Sequence, residues 1–199
     1  MSAMSTVAGN AAVLSPAIVL TSISAFEGFA EDFLAVSLAH LGAGFAEIAK
    51  AVGAWNNPAI PEFANRMKAA VPAAATAIDA PSSVTVLEFP TVTYRSPAAR
   101  TYGWLEAQAQ SRAWMQVRHS LTHGLTTGWR AERWPPPLRA DDPPATAVLR
   151  PMRNGQHSLV IAGAISCARL YTHGAQKVAQ AVAATNGWNL SWDQMPEFD

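Results

Sequence analysis

Between Ser15 and Leu41, large apolar side chains return every three or four positions: Ile18, Ile23, Phe26, Phe29, Phe33, Leu34, Leu38 and Leu41. That spacing over so many residues commits the segment to one long amphipathic α-helix, because a strand would throw successive side chains to opposite faces. Ser15-Pro16 supplies a start, an N-cap hydroxyl followed by proline at the first helical position. Gly42 and Gly44 end or kink the helix, and a shorter one follows over about 43–52, stopped by Gly53. The whole run from Ser15 to Trp55 is apolar enough to raise the question of a membrane span. Glu27, Glu31, Asp32 and Glu47 interrupt it, and charges at a bilayer centre are costly, so the expectation is a buried helix pair and no membrane.

The rest of the chain is punctuated by proline and glycine. Asn57-Pro58 breaks it, and 61–71 reads as a short helix that Pro72 stops. Within 73–97 the alternating, β-branched run Val84-Thr85-Val86-Leu87-Glu88-Phe89 predicts an extended segment or short strand. Ser96-Pro97 then predicts a second long helix over about 97–123, through Tyr102, Leu105, Ala109, Trp114, Val117 and Leu121, with Gly124 as a left-handed cap. Pro135-Pro136-Pro137 and Asp141-Asp142-Pro143-Pro144 cannot be helix interior, so 128–157 is a Pro-rich surface insertion. Inside it, Asn154-Gly155 between Val148-Leu149 and Ser158-Leu159 marks a small hairpin. A last long helix covers about 158–185, ended by Asn186-Gly187. The expected architecture is all-α: a single helical bundle over 15–187, built from three long helices and shorter ones, with minor extended and hairpin segments. A flexible N-terminus over 1–14 and a C-terminal tail over 188–199, able to pack through Trp188 and Trp192, flank it.

Half of the 199 residues are hydrophobic and 14% are charged, which excludes a disordered chain and fits one domain with a sizeable core. Trp55, Trp104, Trp114, Trp129 and Trp134 suit a core or an interface. Trp129 and Trp134 also flank arginines on a loop, where a ring can stack on a base. The single cysteine, Cys167, cannot form an internal disulfide and lies among Ala and Ile, so it reads as a small buried apolar residue rather than a nucleophile. With no positive region ahead of the first apolar stretch, the protein is expected in the cytoplasm.

Net charge is zero, yet unevenly spread. From Arg95 to Arg153 nine arginines face Glu106, Glu132, Asp141 and Asp142, a net of +5, which leaves −5 for the remainder. All the basic residues of that segment are Arg, whose planar fork suits phosphate, so an anionic partner is one reading and an uneven solvated surface the other. Arg112, Arg130 and Arg133 are the candidate contacts to such a partner.

The residues with most chemistry are Arg118-His119-Ser120-Leu121-Thr122-His123, late in the second long helix and followed by Gly124. Arg is permanently protonated and can grip phosphate with two donors, while His titrates near neutrality and can act as general acid or base. Five residues apart on an ideal helix is a separation of roughly 140°, so Arg118 and His123 converge only where the helix ends or across a subunit interface. His119 and His123, four apart, share a face.

These six residues resemble the signature of the HEPN superfamily: Arg, a polar residue, three variable residues, then His, with Gly usually following. The early helix adds Ala25-Phe26-Glu27-Gly28-Phe29-Ala30-Glu31-Asp32-Phe33, which looks like the opening segment of HEPN proteins of the RiboL-PSP type. The two segments cover about a quarter of the chain, and the insertion from Trp134 to Pro144 has no counterpart in that pattern. The resemblance implies a metal-independent endoribonuclease, needing no cofactor, that works as a homodimer with both Arg–His motifs facing one cleft. It implies that Arg118 holds the scissile phosphate and that His123 assists attack of the ribose 2′-OH or protonates the leaving oxygen, with His119 orienting one or the other. Glu27, Glu31 and Asp32 would steady Arg118 or His119 from the first helix. A toxin or defence effector with a neutralising partner fits such an enzyme.

Other readings stay open. The motif residues can be a surface histidine pair and a structural arginine, or the fold can be a dimerisation or recruiting module that does no chemistry. His119-x-x-x-His123 can be half of a metal site, with His40, His157 or His173 as a third ligand. Arg169 and His173 form a second, shorter Arg–His pair followed by Gly, readable as packing or as an accessory RNA contact.

Overall fold

The computed structural model describes residues 3–55, 57–93, 96–124 and 141–193, with side chains from 13 onward. It is mainly helical. Helix α1 covers Ala3–His40, α2 Phe45–Gly53, α3 Ile60–Ala70, α4 Ala75–Asp79, α5 Trp104–Thr122 and α6 Ile161–Asn186, with 3-10 turns at Pro72–Ala74 and Ala145–Ala147. Two antiparallel hairpins interrupt the helices, β1 (Ser83–Glu88) with β2 (Ala98–Gly103), and β3 (Arg150–Pro151) with β4 (His157–Ser158).

Helix α1 packs along α6, with α3 and α5 closing the core from the other side. Val19, Ile23, Phe26, Ala30 and Leu34 recur on one buried face of α1. Phe26 lies at the centre, 4.9 Å from the Tyr171 ring of α6 and 5.8 Å from Phe63 of α3, in edge-to-face geometry. At Gly174 of α6 the absent Cβ makes room for Ile60, whose side-chain carbons would stand 2.6 Å from it. Trp188 and Trp192, beyond α6, lie against Phe33 and Phe29 of α1.

Four local expectations are corrected. The 1–14 segment is helical from Ala3, and Pro16 lies inside α1 instead of opening it. The upstream stretch is rich in Ala, Met and Leu, good helix formers that carry the helix through one missing N–H. The segment 97–103 is strand β2 and not the first turns of α5. Its Tyr102 is buried and donates to Glu88 of β1 at 3.0 Å, and the pairing Val86↔Arg100 gives both strands their hydrogen bonds. Ser166 of α6 accepts from the Leu87 amide at 2.7 Å and donates to its carbonyl at 2.9 Å, which fastens that hairpin to the bundle. Finally, α2 has no buried residue, with Phe45 86% exposed, so the first two helices are not a buried pair. The stretch Val13–His40 of α1 is long and apolar enough to cross a membrane by length and composition alone. In the fold it carries a core face and an ion-paired Glu27.

Candidate functional site

Helix α5 delivers the motif. Its residues 111, 115 and 118 fall on one face, which looks into α1, α3 and α6. Ser111 ties three elements together: its hydroxyl accepts from the Ile60 amide at 3.3 Å, and its carbonyl accepts from the Tyr171 hydroxyl at 2.8 Å. Two turns later the same face carries Arg118. Its guanidinium forms an ion pair with Glu27 of α1, donates to Asn57 Oδ1 at 2.9 Å and lies 3.7 Å from Met115 Sδ. These contacts all use Nη1. The side chains of Arg118 and Glu27 are 17% and 14% exposed, so the pair is largely withdrawn from water.

Burial raises the Glu27 carboxyl above its ordinary range, the Arg118 charge and hydrogen bond pull it partly back, and the Glu31 charge adds a small push upward. Desolvation therefore outweighs the attraction of the ion pair. Of the three acids proposed on α1, Glu27 is the one in contact with Arg118; Glu31 acts on the cluster through its charge, and Asp32 is exposed.

His123 takes the C-cap position of α5, with φ −97° and ψ 7°, and its amide donates to the His119 carbonyl at 3.0 Å. Gly124 follows at φ +69°, the left-handed conformation that glycine adopts without a steric penalty. Thr122 folds its hydroxyl back onto the Arg118 and His119 carbonyls, at 3.1 and 3.0 Å, and fastens the final turn. His123 is exposed at the helix terminus and His119 is half-buried one turn before it. The terminus thus offers the outer imidazole to solvent, while Arg118 is directed inward to α1.

Arg112, expected on an anion-binding surface, is committed elsewhere. It pairs with Glu62 of α3 at 2.9 Å and stands 3.8 Å from Asp142. Arg100 is held between Glu88 and Glu106. Acids from distant parts of the sequence thus neutralise Arg100, Arg112 and Arg118, and the +5 segment is not a +5 surface. Arg130 and Arg133, with Trp129 and Trp134, lie outside the described residues. Trp55, Trp104 and Trp114 are buried. Cys167 is fully buried and its thiol is pushed well above the usual range, as suits a core residue.

Neither second set of histidines makes a metal cluster. Among the described residues no group of three or more His, Cys, Asp and Glu side chains is placed to hold an ion. His40 Nδ1 meets the Val36 carbonyl at 3.0 Å and its ring lies on Trp188. His173 Nε2 meets Ser82 Oγ at 3.2 Å, edge-on to Trp104, and burial together with the nearby Lys177 lowers its pKa. That contact pins the turn before β1 to α6.

The residue that the sequence pattern did not single out is Asn57. It is the one non-glycine residue with positive φ among the described residues, at +51°, and that backbone brings its amide oxygen to Arg118. Asn tolerates the left-handed region better than other side chains, so an Asn between a tryptophan-bearing loop and a proline was a usable signal. Compared with protein-family models, with curated proteins and with solved structures, the chain matches none.

Proposed function

We propose that this chain is a metal-independent endoribonuclease of the HEPN kind, working in the cytoplasm as a homodimer and serving as a toxin or defence effector. The observation that carries the reading is the end of α5. Arg118 is fixed there by Glu27 and Asn57, and His123 stands exposed at the terminus five residues on.

In this reading the Arg118 donors that do not face Glu27 and Asn57 grip a non-bridging phosphate oxygen and stabilise the charge that grows on it. His123 removes the ribose 2′-OH proton, the 2′-oxygen bonds to phosphorus, and the 5′-oxygen leaves with a proton from a second imidazole. The products are a 2′,3′-cyclic phosphate and a 5′-hydroxyl. The second imidazole is His119 or the partner copy's motif. Glu27 keeps the guanidinium aimed, and no metal enters.

A second reading rests on the same burial. An arginine only 17% exposed and paired with a carboxylate is also what a structural ion pair provides in a non-catalytic interaction module. Timed cleavage of mixed tRNA and mRNA with EDTA present separates the two. His123→Ala is expected to lose about 10²–10⁴-fold and Arg118→Ala about 10²–10³-fold, with circular dichroism unchanged. His119→Asn is milder, and Arg118→Lys does not rescue fully because an ammonium lacks the two-pronged grip. Wild-type rates in His123→Ala select the non-catalytic module.

A further inference from the structure

Two arginines of the positive segment, Arg150 and Arg153, stand on the β3–β4 hairpin, away from the acids that neutralise Arg100, Arg112 and Arg118. Beside them a cleft of about 460 Å³ opens between the hairpin and the loop after β1. Its walls are Val92, Thr93, Arg150, Met152, Arg153 and Asn154, and among the described residues that line it none is acidic. Glu88, the acid nearest in sequence on β1, is already tied to Arg100 and to the Tyr102 hydroxyl.

The cleft combines two kinds of surface that seldom meet on a solvated face. Val92 and Met152 are 42% and 40% exposed, giving apolar walls on which a flat ring can lie. The Arg150 guanidinium stands 4.5 Å from the Phe89 ring, an arrangement that fixes its plane before any ligand arrives. Arg153 is at the exposed end of the hairpin, beside the turn that Gly155 makes at φ +76°. Thr93 and Asn154 add a hydroxyl and an amide at the rim, groups able to meet the edge of a base.

Cationic forks beside an apolar slot of nucleotide size are the requirements of a base stacked out of a single strand, with its phosphate held at the rim. We infer that this cleft is a binding subsite for one nucleotide of single-stranded RNA, remote in sequence from the Arg118 motif. The inference rests on the reading of the chain as an RNA-cutting protein and narrows its substrate to unpaired RNA. Duplex RNA keeps its bases stacked and offers no ring to the slot.

The test uses the full chain and a fluorescent 2′-O-methyl oligonucleotide of about 12 unpaired nucleotides. Lacking a 2′-hydroxyl, the probe cannot be cut by the proposed chemistry, so binding is read without cleavage. Arg153→Glu is expected to weaken binding at least tenfold. Arg153→Ala should lower the slope of log affinity against log salt by about 0.7. Met152→Ser should cost roughly fivefold and leave that slope unchanged, since it removes stacking and no charge. All three are surface changes, checked for folding by circular dichroism. Binding in Arg153→Glu within twofold of wild type, equal affinity for a duplex of the same sequence, or no binding by the wild type overturns the subsite. Loss of binding in Arg153→Glu alongside a wild type that cuts no RNA supports the subsite and sinks the nuclease instead.

Discussion

The guanidinium of Arg118 and the carboxylate of Glu27 meet across α5 and α1 from positions 91 residues apart, and the fold favours the uncharged form of that carboxyl. The pair is close, but each partner has lost most of its water. In such a place the cost of desolvating an acid can exceed what the opposite charge returns.

A pH dependence follows for Glu27. Its folded-state pKa lies above the ordinary value of 4.5, so its stabilising contribution is fully present below pH 4.5 and is lost as pH rises through the folded pKa. Glu27→Gln keeps an oxygen for Arg118 and does not titrate. In urea melts the wild type should therefore lose ground to Glu27→Gln between about pH 4 and about pH 7, and the variant should be at least as stable at neutrality. A wild type that gains on the variant over that range would show a carboxylate lowered by its partner, against the balance described here. At neutral pH the same variant should bind RNA more tightly, because Arg118 no longer shares its charge.

Asn57 separates backbone from side chain. Asn57→Gly accepts φ +51° without strain but removes the oxygen 2.9 Å from Arg118; Asn57→Ala removes the oxygen and strains the backbone. Denaturation should place Ala below Gly in stability by about 1 kcal/mol. Cleavage, if Asn57 aims the guanidinium, should fall equally in both. Equal stabilities would mean that the left-handed backbone carries no strain worth relieving, and unequal cleavage would tie activity to that backbone.

How much of this was legible in the sequence depends on the range of the interactions. The α1 face through Ile23, Phe26 and Leu34 and the left-handed Gly124 and Gly187 caps are local patterns, and the periodicity and glycine placement predict them. Strand β2 is different. Ser96-Pro97 is as good a start for a strand as for a helix, and what decides is Tyr102 reaching Glu88 across the hairpin. The charge map misled for the same reason: Arg112 meets Glu62 from 50 residues away, which no segment-wise count of charge can register. Pro16 erred locally, because the helix-forming residues upstream of it outweigh one lost hydrogen bond.

Gly174→Ala tests how tightly α6 and α3 approach. Alanine is the better helix former by about 1 kcal/mol, so on an open face it would stabilise. Here the new methyl meets Ile60 carbons at 2.6 Å, and Ile60 is fully buried with nowhere to turn. Overpacking of that kind costs about 1–3 kcal/mol, so the variant should melt at or below the wild type. Adding Ile60→Val should recover part of the loss. A double-mutant cycle with coupling near zero would mean that the helices slide apart freely at this point.

The last prediction concerns where two subunits would meet. On α1, Ile18, Ser22, Ala25 and Phe29 share one side with Ala168, Thr172 and Trp192, around an apolar groove of about 550 Å³. Glu27 points roughly 140–180° away from those four α1 residues at 100° per residue, so the groove and the Arg118 cluster lie on opposite flanks of the helix. An interface through the groove would leave the two motifs on outer faces, whereas the nuclease reading needs them in one cleft. The pairing surface should therefore include the end of α5. Thr122 is exposed there between Arg118 and His123, and Thr122→Arg should reduce both the dimer fraction by light scattering and the cleavage rate. Ala25→Arg, exposed in the groove, should leave both unchanged. If Ala25→Arg yields a monomer that has lost cleavage while Thr122→Arg remains a dimer, subunits meet through the groove, and the two-motif cleft is not how this protein works.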